Sequence, residues 1–398
     1  MTPQYFKEHL SYILNWWEDL IDWQNGGVFT AIKFFSKEPY SDYKAPLMHL
    51  RQMYNYSVGH EQGHPGAEKI AKHLADSLFE VFPDKQGALM ISFEKRRSES
   101  PVISAYLNAY QVICISRYAR AFQHRPSAEL ALKVYHELDD LLTDGSLADQ
   151  GTWDLLLLES GERKIKTDNA HIHRCEGAFN LLRALEVCAP ELADKERNYL
   201  SQQISDLCGY FDRRISRPEE GYTVEKLADD SSPVSCYEHH KQSLAHGFEW
   251  LGFCQEIERY VHIPLPFEDK RLYQLCRNTL DNGLAEKGCF LNDYLVAHKA
   301  SALQGCFWPQ VEAVLGALWA RKRWGEKAFP LEKSERMLDF YQRFFMIPES
   351  LGGGIASNVS ANGVPTNYTT GHPHKCDHHA VRMVEKILEF DLLGEVPE

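Results

Sequence analysis

The sequence predicts an all-α protein, an (α/α)6 barrel of six helical hairpins joined by short β-hairpin loops. Three observations support this fold: helical periodicity over most of the chain, a glycine turn that recurs six times, and polar residues at one phase of that repeat. Six helix pairs can close into a ring, which removes the exposed ends that an open solenoid must cap. An open helical-repeat array is the competing architecture.

Apolar residues recur at helical spacing in long stretches separated by short polar connections. Strand-like runs are few and short, as expected for hairpins that only connect helices. The clearest predicted helices are Ala67 to Phe82, Ala105 to Phe122, Ala128 to Leu142, Gly177 to Val187, and Arg197 to Phe211.

The predicted hairpins share a pattern in which polar residues precede a glycine and a brief alternating segment follows it. Neighbouring glycines of this kind are 60 to 70 residues apart, which is long enough for two helices and a hairpin. Their even spacing predicts that residues 1–398 form a single barrel domain rather than two or three domains. The six glycines are Gly27, Gly87, Gly151, Gly221, Gly288 and Gly353.

The charge pattern excludes several classes of partner. The net charge is −13, from 43 Lys+Arg against 56 Asp+Glu, and no run of basic residues suits nucleic acid or an anionic membrane. The longest apolar stretches are shorter than the ~20 residues of a membrane span, and the N-terminus lacks the pattern of a signal peptide. Ten singly spaced cysteines indicate reduced thiols. We therefore expect a cytoplasmic protein with a small neutral ligand.

Functional-looking residues recur 20 to 26 positions after the glycines. In a closed barrel these positions converge at one end of the inner ring, near the start of each inner helix. Such a concave floor suits a polar small molecule. The residues are Arg51, His173, His246, Trp308, Glu312 and His379.

Two of these histidines are followed by a glutamate three positions later, Glu176 after His173 and Glu249 after His246. Residues three apart share a helix face. A carboxylate beside an imidazole holds its tautomer and raises its basicity, whereas a helix N-terminus favours the neutral ring. The pairs therefore suit a base that works near pH 7, although one histidine on an amphipathic helix is more often structural.

The other candidates are also open to two interpretations. Trp308, beside Pro309 at a predicted helix start, suits stacking on a sugar face, but aromatic residues at helical spacing are more often core. Arg51 is either a surface charge or a partly buried group aimed at an oxygen.

A histidine-rich segment near the C-terminus invites a metal interpretation. Its spacing matches no zinc signature, and acid/base use of one histidine is the preferred interpretation. Motifs for phosphate or dinucleotide binding are absent, so no cofactor is expected. The segment contains His372, His374, Cys376, His378 and His379.

In order along nearly the whole chain, six short motifs resemble the N-acylglucosamine 2-epimerase superfamily, which includes mannose isomerases and cellobiose 2-epimerases on an (α/α)6 barrel. Each motif is short, but their order and phase together are specific. They are Gly26-Gly27-Val28-Phe29, Arg51-Gln52-Met53-Tyr54, His173 to Ala178, His246 to Trp250, Phe307 to Ala313, and Lys375 to Met383.

The resemblance implies proton transfer at carbon 2 of a reducing sugar, through an enediolate and without a cofactor. It implies that His379 and His246 are the acid/base pair and that Glu249 orients His246. It further implies that Arg51 and His173 bind hydroxyls and developing negative charge, that Glu176 supports His173, and that Trp308 stacks on the ring. Glu312 belongs to the predicted substrate-binding set.

A histidine at position 173 resembles the isomerases of unmodified sugars, which favours mannose or a relative as substrate. N-acylglucosamine 2-epimerase activity on N-acetylglucosamine or N-acetylmannosamine is the alternative within the family. An (α/α)6 glycoside hydrolase would need two carboxylates flanking a glycosidic bond, and a non-catalytic sugar-binding barrel would not need two histidines. The predicted partner is a monosaccharide. The sequence is compatible with either a monomer or a homodimer.

Overall fold

The structure, a computed structural model, describes residues 1–30, 32–33, 38–39, 44–93, 101–234, 241–301, 304–366, 369–370 and 377–396. Twelve of the thirteen α-helices in these ranges form two concentric layers, and α6 is a single turn. The helices are α1 (Pro3–Glu18), α2 (Pro46–Glu61), α3 (Ala67–Val81), α4 (Ala105–Phe122), α5 (Arg125–Leu142), α6 (Leu147–Gln150), α7 (Asp168–Cys188), α8 (Pro190–Tyr210), α9 (Ala245–Tyr260), α10 (Asp269–Gly283), α11 (Phe307–Trp324), α12 (Leu331–Phe340) and α13 (His378–Glu389).

The inner ring closes on itself. Helix α2 packs on α4, α4 on α7, α7 on α9, α9 on α11, α11 on α13, and α13 returns to α2. The inner helices are buried on nearly every side, whereas the outer helices bury one face: 13 of the 18 residues of α11 are buried, against 6 of the 15 in α10. This confirms the predicted (α/α)6 barrel. None of the helices in the described ranges combines the length and apolar character needed to cross a bilayer.

Short antiparallel strands join neighbouring units at the end of the barrel where the inner helices begin. Four of them, β5, β8, β12 and β15, lead almost directly into α4, α7, α9 and α11. The strands are β1 (Ile32–Lys33), β2 (Lys85–Gln86), β3 (Leu89–Met90), β4 (Ser92–Phe93), β5 (Pro101–Ser104), β6 (Leu155–Leu157), β7 (Arg163–Lys164), β8 (Lys166–Thr167), β9 (Ser216–Arg217), β10 (Tyr222–Thr223), β11 (Lys226–Leu227), β12 (Lys241–Ser243), β13 (Asp293–Leu295), β14 (Ala300–Ser301), β15 (Gln304–Cys306), β16 (Asn358–Ser360) and β17 (Thr369–Thr370).

The pairing of these strands fixes where the inner helices start. Strand β5 pairs with β6, β8 with β11, β12 with β13, and β15 with β16, so each ladder links one helical unit to the next. Strand β1 pairs with β17 and joins the first unit to the last. The side chains of Ser104 and Thr167 then cap α4 and α7 by accepting hydrogen bonds from Leu107 N and Ala170 N.

All six predicted glycines lie between an outer helix and the next inner helix, and all six have positive φ, from +60° to +96°. Each lies in a tight antiparallel reversal, for example the Thr143–Thr152 bridge around Gly151 and the β9–β10 pair around Gly221. This backbone region is sterically unfavourable for any residue that has a Cβ. The recurrent glycine therefore marks a backbone requirement of every unit.

The axis of the barrel contains charge as well as apolar side chains. The buried guanidinium of Arg382 on α13 lies within ion-pair distance of four buried carboxylates on three other inner helices. An uncompensated buried charge costs several kcal/mol, so these groups must be matched. The four distances are 3.6 Å to Glu176, 3.8 Å to Glu249, 3.5 Å to Glu256 and 3.2 Å to Glu312.

We expect Gly221→Ala to lower the free energy of unfolding by more than Gly63→Ala. The two glycines have nearly equal φ, +77° and +75°, so both variants incur a backbone penalty of ~1–2 kcal/mol. A Cβ at Gly221 would lie 2.5 Å from the backbone carbon of Asn278 on α10, whereas at Gly63 nothing lies within 4 Å. Overpacking adds about 1–3 kcal/mol at Gly221. Urea unfolding of both variants measures the difference, and equal losses would contradict the packing argument.

We expect Arg382→Met to lose about 3–5 kcal/mol of stability near neutral pH, because it leaves buried carboxylates without their counter-charge. Burial raises the pKa of Glu176 to about 7, and burial together with Glu312 raises the pKa of Glu249 to about 8. Protonated carboxyls need no counter-charge, so the loss should be smaller at pH 5 than at pH 8.

Urea unfolding of the Arg382→Met protein at both pH values measures this loss. Arg343→Met is the control, because Arg343 and its partner Asp339 are exposed and such pairs contribute about 0–1 kcal/mol. Equal, small losses in the two variants would contradict a central role for Arg382.

Candidate active site

The first turns of four inner helices, α4, α7, α9 and α11, line a cavity of about 520 Å³, and its described lining includes two of the eight predicted site residues, His246 and Trp308. Helix N-termini carry partial positive charge, so this end of the barrel favours negative charge that develops on a ligand. A larger groove of about 660 Å³ runs along outer helix α1, and its described lining includes none of the eight predicted site residues. The lining of the inner cavity includes Ser104, Tyr106, Asp154, Thr167, Asp168, Asn169, Glu225, Lys226, His246, Asn292, Asp293, Cys306 and Trp308.

His246 is the second residue of α9, and its ring lines the cavity. Its Nδ1 lies 2.7 Å from Oδ2 of Asp168, the first residue of the neighbouring helix α7. The prediction that Glu249 orients His246 is therefore wrong, because the carboxylate in contact with the ring is that of Asp168. Although Glu249 is only three residues away on the same helix, its carboxylate lies near Arg382, Glu312 and His379.

His173, in the second turn of α7, forms the pair that the sequence predicts. Its Nδ1 lies 2.9 Å from Oε2 of Glu176, and both side chains are buried. Its ring packs against Tyr106 and Tyr110, with centroids 5.3 and 4.6 Å away. Arg51 is buried beside it, donates a hydrogen bond of 2.9 Å to Tyr106 Oη, and lies 4.1 Å from the ring centre of Tyr110. The surface-charge interpretation of Arg51 is therefore wrong.

His379, the second residue of α13, forms a third pair of the same kind. Its Nδ1 lies 2.8 Å from Oε1 of Glu312, and Nη1 of Arg382 donates to both oxygens of that carboxylate at 3.3 and 3.2 Å. Glu312 was predicted to bind substrate; its side chain is 1% exposed and contacts His379 and Arg382. In all three pairs Nδ1 faces a carboxylate, which leaves Nε2 as the nitrogen on the far side of the ring.

Trp308, the second residue of α11, lies close to two of these histidines. Its ring centre is 5.0 Å from that of His246 and 5.6 Å from that of His379. Because Trp308 is only partly buried and lines the cavity, it offers an aromatic surface beside both imidazoles. Trp319, in contrast, is buried in the core.

The buried groups have shifted pKa values that separate their roles. Burial alone would lower the pKa of His246, but the charge and hydrogen bond of Asp168 outweigh it and raise that pKa to about 9. Burial and the charge of Arg51 lower the pKa of His173 well below its ordinary value. Near pH 7 the site therefore holds a charged imidazole and a neutral one.

One cluster has metal-binding spacing: Glu249, Glu312 and His379 place potential ligand atoms within 4.8 Å of one another. The guanidinium of Arg382 already contacts both carboxylates and supplies the positive charge that a cation would bring. The expectation that the enzyme needs no metal stays a prediction. His372, His374, Lys375 and Cys376 of the histidine-rich segment lie outside the described residues.

Three residues of the site were missed by the sequence reasoning: Asp168, Arg382 and Asp154. Asp154 is partly buried in the cavity wall, where it accepts a hydrogen bond from Thr167 Oγ1 at 2.9 Å, and desolvation raises its pKa. Asp168 sits directly before the N-A-H-I-H segment and Arg382 three residues after His379. Helical spacing therefore offered a signal for Arg382, whereas the partner of Asp168 comes from another helix.

Taken together, the site holds two imidazoles beside an indole ring, with a buried arginine and a third imidazole close by. Each imidazole is oriented by a carboxylate, which suits the donation or removal of a proton at a bound polar molecule. The arginine and the helix N-termini suit negative charge that forms on that molecule.

Comparison with known proteins finds relatives that match nearly the whole chain. A cellobiose 2-epimerase of Ruminococcus albus is 23% identical over 405 residues, covering 98% of each chain. The solved structure of a cellobiose 2-epimerase from Bacillus thermoamylovorans has a TM-score of 0.84 at 19% identity, covering 98% of this chain and 99% of that one. A D-mannose isomerase has a TM-score of 0.82 at 13% identity, covering 98% of both chains.

The profile of one protein family, N-acylglucosamine 2-epimerase (GlcNAc 2-epimerase), matches residues 33–381. This range extends from β1 to the second turn of α13 and includes all eight predicted site residues. The chain belongs to the N-acylglucosamine 2-epimerase family and is a sugar epimerase or isomerase.

Proposed function

We propose that this enzyme isomerises or 2-epimerises D-mannose or a related unmodified sugar through an enediolate. The observation that carries the proposal is that His246 and His379 both lie against Trp308, each with Nδ1 facing a carboxylate. Two oriented imidazoles beside a stacking surface suit proton transfer at adjacent carbons of a sugar.

The chemistry requires the open-chain sugar, because the C2 proton is acidic only next to a carbonyl. His379 removes this proton and His246 protonates the C1 oxygen. Arg51 and His173 bind hydroxyl groups and stabilise the negative charge of the enediolate. Return of the proton to C1, with loss of the O2 proton to His246, gives the ketose, and its return to C2 after the intermediate turns its opposite face to His379 gives the epimer.

The charge of the cavity supports a neutral sugar as substrate. Its lining carries the carboxylates of Asp154, Asp168, Glu225 and Asp293, against the basic side chains of Lys226 and His246. This excess of acidic groups disfavours phosphorylated sugars. The likeness to cellobiose 2-epimerases and a D-mannose isomerase also points to sugars without an acyl group. N-acylglucosamine 2-epimerisation is the alternative, and glycoside hydrolysis is the alternative from another class.

The remaining expectations belong to the same proposal. The barrel would act as one catalytic domain in the cytoplasm, without a cofactor, and with a monosaccharide as its partner rather than nucleic acid or a membrane. The net charge of −13 supports the exclusion of polyanionic partners. Whether two copies associate stays open.

We expect deuterium to appear at C1 or C2 when the protein is incubated in D2O with its substrate. Mannose, glucose, fructose, cellobiose and N-acetylmannosamine are the compounds to test by NMR. His379→Asn should lower the exchange rate by about 10²- to 10⁴-fold, because it removes the proton-accepting imidazole. EDTA should leave the rate unchanged.

His378→Asn is the matched control for this experiment. His378 is also buried on α13, but its ring packs against Tyr54 and Tyr110, and its Nδ1 lies 3.2 Å from Asn55 Oδ1. Its replacement should lower the rate far less than His379→Asn. Exchange with none of the sugars, full activity of His379→Asn, or release of glucose from cellobiose without exchange would each contradict the proposal.

A further inference from the structure

The contact between His246 and Asp168 joins two different helices, as does the contact between His379 on α13 and Glu312 on α11. Asp168 lies 78 positions before His246 and on another helix, whereas the partner of His173 is three residues away. The side chain of Asp168 is fully buried and that of His246 is 5% exposed. The N-terminal turns of α7 and α9 must therefore stay in register for this contact to exist.

Asp168 is held in place by its backbone as well as by its side chain. Its N–H donates to the carbonyl of Glu225, next to the β8–β11 ladder. Its Oδ1 accepts from the backbone N–H of Asn169 at 2.7 Å, and its Oδ2 accepts from Thr223 Oγ1 at 3.0 Å. Both groups donate a hydrogen bond to the carboxylate, and the first turn of α7 adds its partial positive charge. These contacts fix the orientation of the Asp168 carboxylate.

The charged groups around His246 favour its protonated form. Acidic groups face it from every side: Asp168 on α7, Glu225 before β11, Glu249 on its own helix and Glu312 on α11. His173, the basic group nearest on α7, is itself held neutral by burial and by Arg51. Asp168 is the acid with a direct contact, and it has the largest effect among those that raise the pKa of His246 to about 9.

We propose that Asp168 is a positioning residue that holds His246 with both ring nitrogens protonated, so that Nε2 donates its proton to O1 of the open-chain sugar. The inference rests on the proposed function. As His379 takes the C2 proton, the electrons of the C2–H bond form the C1=C2 bond, and those of the carbonyl π bond move to O1. O1 then takes the proton from Nε2 of His246, so one histidine gains a proton and the other loses one.

This assignment separates the two histidines that the family resemblance treats as a pair. His246 starts the reaction as the acid and His379 as the base. Because the acid must be protonated, activity should fall as the pH rises through the pKa of His246. The histidine pair alone does not require that order, since either ring could start as the base.

The test measures kcat/KM for the sugar that shows exchange, from pH 5 to pH 10.5, in the wild type and in Asp168→Asn. We expect the wild-type alkaline midpoint near pH 9. In Asp168→Asn it should move down towards the ordinary histidine pKa of about 6.5, since burial then opposes only the weaker effects of Glu249 and Glu225. At pH 8 the rate should fall about 10²- to 10⁴-fold.

Glu176→Gln is the matched control, because it removes the carboxylate of the parallel His173 pair. It should lower activity but leave the alkaline midpoint near pH 9. Asp168→Glu keeps the negative charge, so its alkaline midpoint should lie between those of Asp168→Asn and the wild type. If Asp168 were merely structural, Asp168→Asn would lower the melting temperature and the rate while the midpoint stayed in place, and this result would overturn the proposal.

A second measurement does not depend on activity or on the stability of a variant. In the wild-type protein with isotope-labelled histidine, NMR titration follows His246, assigned by the signal that disappears in His246→Gln. A His246 pKa near 9 supports the proposal, and a value at or below 6.5 overturns it. If the titration supports the contact but no sugar shows exchange, the proposed function and the proton donation fall, and Asp168 remains the partner of the ring.

Discussion

The buried ion pairs of Arg382 are the constraint on which the arrangement of this barrel depends. One guanidinium on α13 faces carboxylates on α7, α9 and α11, at 3.2 to 3.8 Å. Apolar packing restrains these helices by shape, and the buried charges add a second restraint, because a buried charge without its partner is costly. The same carboxylates, Glu176 and Glu312, orient His173 and His379. The interaction that fixes the helices therefore also fixes the imidazoles.

Similar geometry at three histidines leads to different chemistry because the surroundings differ. His246 faces several acidic groups, and its pKa rises, whereas His173 lies beside Arg51, and its pKa falls. A nearby opposite charge favours the charged form of a group, and burial or a like charge disfavours it. One motif, an imidazole whose Nδ1 faces a carboxylate, thus gives a charged ring at one place and a neutral ring at another. The proposed division of labour in proton transfer follows from this difference.

Features set within one helical unit, such as its turn glycine, could be predicted from the sequence. Side-chain contacts between units could not. The glycines were predictable because a positive φ restricts the residue type. The positions of His173 and His379 followed from their phase in the repeat. The partner of His246 did not, because Asp168 is distant in sequence and the nearer Glu249 turns towards Arg382. Helical spacing shows which side chains share a face, but the charges across the barrel decide which of them pair.

The closure of the ring also affects how the chain folds. Helix α13 packs against α1 and α2, and β1 pairs with β17, so the last contacts to form join segments more than 300 residues apart. Contacts of such long range slow folding, because the chain loses much entropy before they are made. An open array could gain stability unit by unit during synthesis, but here His379 and Arg382 arrive with the final inner helix. A chain that lacks this helix has neither a closed barrel nor a complete candidate site, so both form only after α13 has packed against its neighbours.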